Sequence, residues 1–184
     1  MGGVRWPDGA RACLRDRRGV ALVEFALSLP VMLLLYLGGV QLQDGIACDR
    51  KVTIATRAAA DLIAQNMSGS MSASEIQDNL AAATQVLRPY AAANARLRIT
   101  GIAIDAQQQA TVQWSRGLNT TGYERGRVID IPAGMRTPGT YYLLSELVYA
   151  YSPPVSFGSI GAINLSDSLF MVPRNTDQID CPDC

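Results

Sequence analysis

Charged and polar positions divide the chain into stretches of different period. Residues 20–40 hold one charged side chain, Glu24, in an otherwise apolar run. At 1.5 Å rise per residue that run makes about 31 Å of helix, the thickness of one hydrocarbon core. The helical pattern continues past it. Residues 45–67 contain no proline, and their one glycine, Gly45, lies at the start. Ala47, Ile54, Ala58 and Leu62 recur at helical spacing and are expected to form the buried face. Residues 20–66 therefore read as one helix of roughly 70 Å, with Pro30 removing a backbone bond and kinking it. The sequence SGSMS breaks the pattern. Ser72 and Glu75 then form a Ser-x-x-Glu capping box, and Ile76, Leu80, Ala83 and Leu87 follow on one face. A second, amphipathic helix ending near Pro89 is predicted.

From Arg96 the period changes to two. Leu97 and Ile99 alternate with Arg98 and Thr100, and Gly101 shifts the phase, which suggests a bulge. After the turn-like DAQQQ, Ala110, Val112 and Trp114 alternate with Thr111, Gln113 and Ser115 as a second strand. Residues 119–139 are rich in glycine and proline and read mostly as loop. Residues 141–151 are apolar on both faces, as in a central strand. Ile163, Leu165, Leu169 and Met171 mark a last strand. The expected fold class is α+β: a long N-terminal transmembrane helix leading into a small domain with a second helix and about four antiparallel strands.

Charge adds an orientation. Arg11, Arg15, Arg17 and Arg18 precede the apolar run, and no basic residue follows it until Arg50. The excess of positive charge places the N-terminus in the cytoplasm and the rest across the membrane. The expected division is a basic cytoplasmic leader at 1–19, a transmembrane helix at 20–40, a helix extension at 41–66 and an extracytoplasmic domain at 67–184. A conventional secretory signal fits poorly. Its apolar core would be too long, and Gly38, Gly39, Val40 and Gln41 make a poor cleavage site. The 16 basic and 16 acidic residues balance, and mean hydropathy is only slightly positive. A polytopic membrane protein is thereby excluded, and nothing clusters Lys and Arg for nucleic acid beyond the N-terminus. The absence of histidine excludes Ser-His-Asp and Cys-His nucleophile systems and every His-based zinc site. We expect no enzyme activity, no catalytic residue, no cofactor and no metal.

Glu24 is the anomaly. A carboxylate at the bilayer centre costs about 2.5–3.5 kcal/mol, and less near the interface, where one turn of helix places this one. Gly19 stands at the boundary of the basic and apolar stretches, Glu24 is the fifth residue after it, and Phe25 comes next. Cleavage after Gly19 would create a positive amine on Val20. A neighbouring subunit shifted along the helix axis could set that amine beside Glu24, and the pair would fix axial register. The alternative is an acid that snorkels to the headgroups.

Gly-x-x-x-x-Glu-aromatic after a basic leader, within RRGVALVEFALSLPVMLLL, resembles the type IV prepilin processing motif. The surrounding residues resemble the TadE-like family of tight-adherence (Flp-type, type IVb) pilus assembly proteins. Val23, Glu24, Phe25, Ala26, Leu27, Leu29 and Pro30 fill that family's pattern in order. The resemblance spans 17–35, with weaker echoes in LLSELVYAYSPP (143–154) and MVPR (171–174), and the middle of the chain carries no matching motif. It implies a pseudopilin of the bacterial inner membrane, with a periplasmic C-terminal domain and a place in or beside the pilus. It also implies processing between Gly19 and Val20 and a subunit-register role for Glu24 and Phe25. The implied partners are a prepilin peptidase, other pilins and pseudopilins, a pilus assembly platform and its motor ATPase. The rival expectation is an uncleaved single-span anchor carrying an extracytoplasmic binding domain.

The remaining chemistry is sparse. Cys181 and Cys184 form a CPDC pair between Asp180 and Asp183, acids that would raise a thiol pKa. A disulfide within the pair, or from one of them to Cys48, is expected in an oxidising compartment. Cys13 belongs to the leader. Glu124 with Asp130, and Asp177 with Asp180, lack the spacing of a calcium loop and read as solvated surface. Tyr141, Tyr142, Tyr149 and Tyr151 fit either a partner-binding face or a packed sheet edge.

Overall fold

A computed structural model describes residues 18–153 and 162–184. The leader with Cys13, and the prolines that close the 143–154 echo, lie outside the described residues apart from Pro153. The first element, α1, is Arg18–Ala64 and runs without a break through Pro30. Its 47 residues make about 70 Å of helix. The chain separates into two units, one ending at Gln43 and the other Asp44–Cys184. Helix α1 contributes to both.

In the second unit, α1 buries Cys48, Val52, Ala55, Ala59 and Ile63. This corrects the expected face. Ala47 is exposed, Ile54 and Leu62 are 52% and 39% exposed, and only Ala58 of the expected set is partly covered. The helix presents its small side chains inward because the sheet opposite supplies bulky ones, Leu143, Leu147, Tyr149 and Tyr151. Alanines at the contact let the backbone sit close enough to exclude water, which larger residues would prevent. Ser145 donates from Oγ to the Thr56 carbonyl at 3.0 Å across this contact.

Helix α2, Ala73–Thr84, begins at the anticipated capping box. Ser72 N–H donates to Glu75 Oε2 at 2.7 Å, and Glu75 N–H donates to Ser72 Oγ at 3.3 Å. The Ser72 backbone N–H, and after it the Ser72 hydroxyl donating to Glu75 Oε2 at 2.9 Å, lower the pKa of the Glu75 carboxyl. Ile76, Leu80 and Ala83 face the core, and Leu87 joins them from a short 3-10 turn after the helix.

Five strands follow: β1 Ala95–Ile104, β2 Ala110–Leu118, β3 Val128–Ile129, β4 Tyr141–Tyr151 and β5 Ile163–Met171. They form one antiparallel sheet in the order β3-β2-β1-β4-β5. The architecture is α+β, with one strand more than the pattern predicts. Strand β3 pairs only with Ala110 and Thr111, at the edge, and two residues within a glycine-rich segment carry no period. The pairing of β1 with β2 shifts register between Gly101 and Ile102, where the phase change was expected. Past that bulge the apolar side chains change faces. Leu97 and Ile99 point to the helices, whereas Ile102 and Ile104 join Ala110, Ile131 and Leu144 in a smaller cluster on the opposite face.

The segment after β5 ties the helix ends together. Arg174 N–H donates to the Ala64 carbonyl at 2.9 Å, Asn175 Nδ2 donates to the Gln65 carbonyl at 2.9 Å, and Arg174 pairs with Asp61. These groups satisfy and complement the negative end of α1. At the positive end of α2, Ala73 N–H donates to Asp183 Oδ1 at 2.8 Å.

Candidate functional site

Three regions hold the residues that chemistry would use. The first is the start of α1. Gly19, Val20, Glu24 and Phe25 lie in its first two turns. All four are exposed, as are Leu22, Leu27 and Leu29 through Leu35 beyond them. Among the described residues none of these apolar side chains is covered by the chain itself, and Leu22 is 72% exposed. Twelve Leu, Val and Phe residues in 20–40 favour insertion by up to about 4–7 kcal/mol in sum, against at most about 3.5 for Glu24. By length and composition the segment is a candidate membrane span despite its acid. The hydroxyl of Ser28 donates to the Phe25 carbonyl at 3.1 Å, so it brings no unsatisfied donor into lipid.

The second region lies at Asp44, where charge first returns after the apolar run. Its Oδ2 accepts from the Tyr151 hydroxyl at 2.7 Å and its Oδ1 from the Tyr90 hydroxyl at 2.9 Å. Tyr90 also donates to the Asp44 carbonyl at 3.0 Å. Tyr90 packs edge-on against both Tyr149 and Tyr151, with centroids 6.3 Å apart in each pair. Burial, followed by the hydrogen bond to Asp44, pushes the Tyr90 hydroxyl up to about 12 and raises Tyr151 further. One turn deeper, burial raises the Cys48 thiol to about 11, with Asp44 and Asp49 adding to the effect. This clamp anchors α1 to the sheet where the helix becomes part of the second unit. Sequence reasoning missed it because the partners of Asp44 stand 46 and 107 residues away. The legible signal was an acid in an α-helix with no base nearby.

The third region is CPDC. Cys181 and Cys184 are joined by a disulfide, and Cys48 is buried with a free thiol. The structure therefore does not bring Cys48 to the pair. Among the described residues the only cluster of potential metal ligands is Cys181, Asp183 and Cys184, and its two sulfurs are bonded to each other. Asp130 is engaged by Arg136 at 2.7 Å, and Glu124, Asp177 and Asp180 are exposed.

The tyrosine series is neither a partner face nor a sheet edge. Strand β4 is interior, Tyr141, Tyr149 and Tyr151 are buried on the helix side, and Tyr142 stacks edge-on with Phe170 on the other. Tyr141 and Trp114 converge on one acceptor, the Ile179 carbonyl, at 2.7 and 2.6 Å. They do so over Gly101, where a Cβ would collide with the Tyr141 hydroxyl and the indole nitrogen.

No curated protein and no solved structure matches the chain. The model of one family does, over the whole apolar stretch and most of the remainder of α1. Residues 19–61, with their exposed apolar run and single acid, match the TadE-like protein family and connect this chain to Tad-type pilus proteins.

Proposed function

We propose that the chain is a membrane-anchored pseudopilin that takes part in assembly of a tight-adherence pilus. A prepilin peptidase cuts it between Gly19 and Val20. The leader 1–19 is cytoplasmic, 20–40 spans the inner membrane, 41–66 extends the helix, and the domain 67–184 lies in the periplasm. Its partners are other pilins and pseudopilins, the assembly platform and the motor ATPase. The observation that carries this reading is the match over 19–61 to a TadE-like protein, which begins at Gly19 and contains Glu24 and Phe25.

The chemistry of each residue follows from that reading. A peptidase at the membrane surface draws extended backbone into its site, and glycine offers no side chain to obstruct the approach. Cleavage leaves a positive amine on Val20. In a bundle of such helices, the amine of one subunit and Glu24 of the next compensate each other's desolvation and set the axial stagger. The exposed apolar surface of α1 exchanges lipid for neighbouring helices at little cost, so the charge pair decides register.

The test separates processing from assembly. Gly19→Val is expected to block cleavage. Glu24→Leu keeps the scissile bond and eases insertion, so it is expected to be cleaved and yet to lose crosslinking to partner pilins. Association and piliation at the parental level by Glu24→Leu would refute the register role and leave Glu24 a snorkelling acid on an anchor.

A further inference from the structure

The two sulfurs of the CPDC turn differ in how the fold holds them. The backbone up to Cys181 is fixed by bonds that involve no sulfur. The Ile179 carbonyl accepts from Trp114 and Tyr141, Asp180 N–H donates to the Gly69 carbonyl at 2.9 Å, and Met71 N–H donates to the Asp180 carbonyl at 2.9 Å. Ile179 is fully buried and Cys181 is 8% exposed. Beyond Cys181 the chain is attached by Asp183, whose carboxylate accepts from Ala73 N–H and whose carbonyl accepts from Arg116 Nη2 at 2.9 Å. Cys184 is exposed.

We propose that Cys184 is the entry thiol and Cys181 the resolving thiol for a disulfide donor, a protein or small molecule carrying an S–S bond, that acts once residues 179–181 have docked. The Cys184 thiolate attacks one sulfur of the donor. The donor S–S bond breaks, its second sulfur leaves as a thiolate, and a mixed disulfide remains on Cys184. Cys181 then loses its proton to water and attacks the Cys184 sulfur, which releases the first donor sulfur as a thiolate. The cysteine pair is oxidised by two electrons and the donor is reduced to two thiols.

Access selects the order, because exchange requires an approach in line with the attacked or attacking sulfur. Cys184 offers that approach to a bulky donor, and Cys181 does not. The second step is intramolecular across α-carbons 5.4 Å apart, within the ordinary span for a disulfide, and leaves the docked backbone in place. The bond thus secures the Asp183 turn on the start of α2 rather than the core beneath it.

The test uses the full-length protein in detergent, in a Cys13→Ser, Trp6→Phe background, with oxidised glutathione as the donor. Cysteine-resolved mass spectrometry follows adduct formation on reduced Cys181→Ser and Cys184→Ser variants. The adduct on Cys184 is expected to form at least about tenfold faster than that on Cys181. Trp114 emission, which reports docking of Ile179, is expected to be the same in the reduced and oxidised parent. Equal rates, or faster reaction at Cys181, would overturn the order of thiols. An emission shift on reduction would overturn docking before oxidation. Both readouts are independent of membrane topology and of pilus assembly, so failure of the pseudopilin reading is distinguishable from failure of this one.

Discussion

Replacing Asp44 with alanine removes the acceptor that two tyrosines share. Tyr90 keeps the backbone carbonyl of residue 44 at 3.0 Å, so its loss is small. Among the described residues the Tyr151 hydroxyl donates to Asp44 alone, and Tyr151 is only 4% exposed. Stranding a buried hydroxyl costs about 1–3 kcal/mol, and the weakened Tyr90 bond adds about 0.5–1. We therefore expect Asp44→Ala to lose about 2–3 kcal/mol, a large share of the 5–15 kcal/mol typical of a domain. Asp44→Asn retains one carbonyl acceptor, and its amide can donate to the other tyrosine oxygen, so about half that loss is expected.

The clamp also sets an alkaline limit. The tyrosines bind Asp44 as neutral donors, with folded pKa values above the ordinary value near 10. Their share of stability is fully present below pH 10 and is lost as pH rises through the folded values, about 12 for Tyr90. For Tyr90 this share is at most about 2.7 kcal/mol, less the screening its partial exposure allows. Without Asp44, burial still raises both groups but by less, so the alkaline loss still begins near pH 10 but is smaller and is complete at lower pH. Urea unfolding of the full-length protein in detergent, followed by tryptophan fluorescence at pH 7 and from pH 9 to 12, measures both effects. An Asp44→Ala variant within about 0.5 kcal/mol of the parent at pH 7 would refute the clamp.

Gly101→Ala drives a methyl group into the Tyr141 hydroxyl and the Trp114 indole, which are expected to leave the Ile179 carbonyl. Two buried hydrogen bonds and the overpacking predict a loss of about 2–4 kcal/mol by denaturant unfolding, whereas at the exposed Gly134 an added Cβ meets no neighbour within 4 Å. A reporter active only outside the cytoplasm, fused after Met67, is expected to work, because arginines precede the apolar run and none follows closely. Activity only from a cytoplasmic reporter would reverse the topology.

Features set by near neighbours were legible before the structure. The capping box of Ser72 and Glu75 uses residues three apart, and the bulge at Gly101 appears as a phase change within one strand. The interior position of β4 follows from apolar residues on both its faces. Features set by packing were not. The inward face of α1 is turned away from Ile54 and Leu62 because the sheet demands small side chains there, and hydrophobicity ranks alanine below isoleucine. Strand β3 exists only as an edge partner of Ala110 and Thr111. The clamp on Asp44 and the convergence of Trp114 and Tyr141 on Ile179 join residues far apart in the chain, and no local period announces them. The start of α1 is the reverse case: the spacing of Gly19, Glu24 and Phe25 stands out in the sequence, and among the described residues nothing packs against them.

The central claim is that this helix is made to be cut and to enter a fibre, and the mature N-terminus tests it most directly. Intact-mass and N-terminal peptide analysis of protein made with its cognate prepilin peptidase is expected to give a polypeptide beginning at Val20, and protein made without the peptidase is expected to keep residues 1–19. A chain that retains the leader in the presence of an active peptidase would contradict the account and favour an uncleaved single-span anchor.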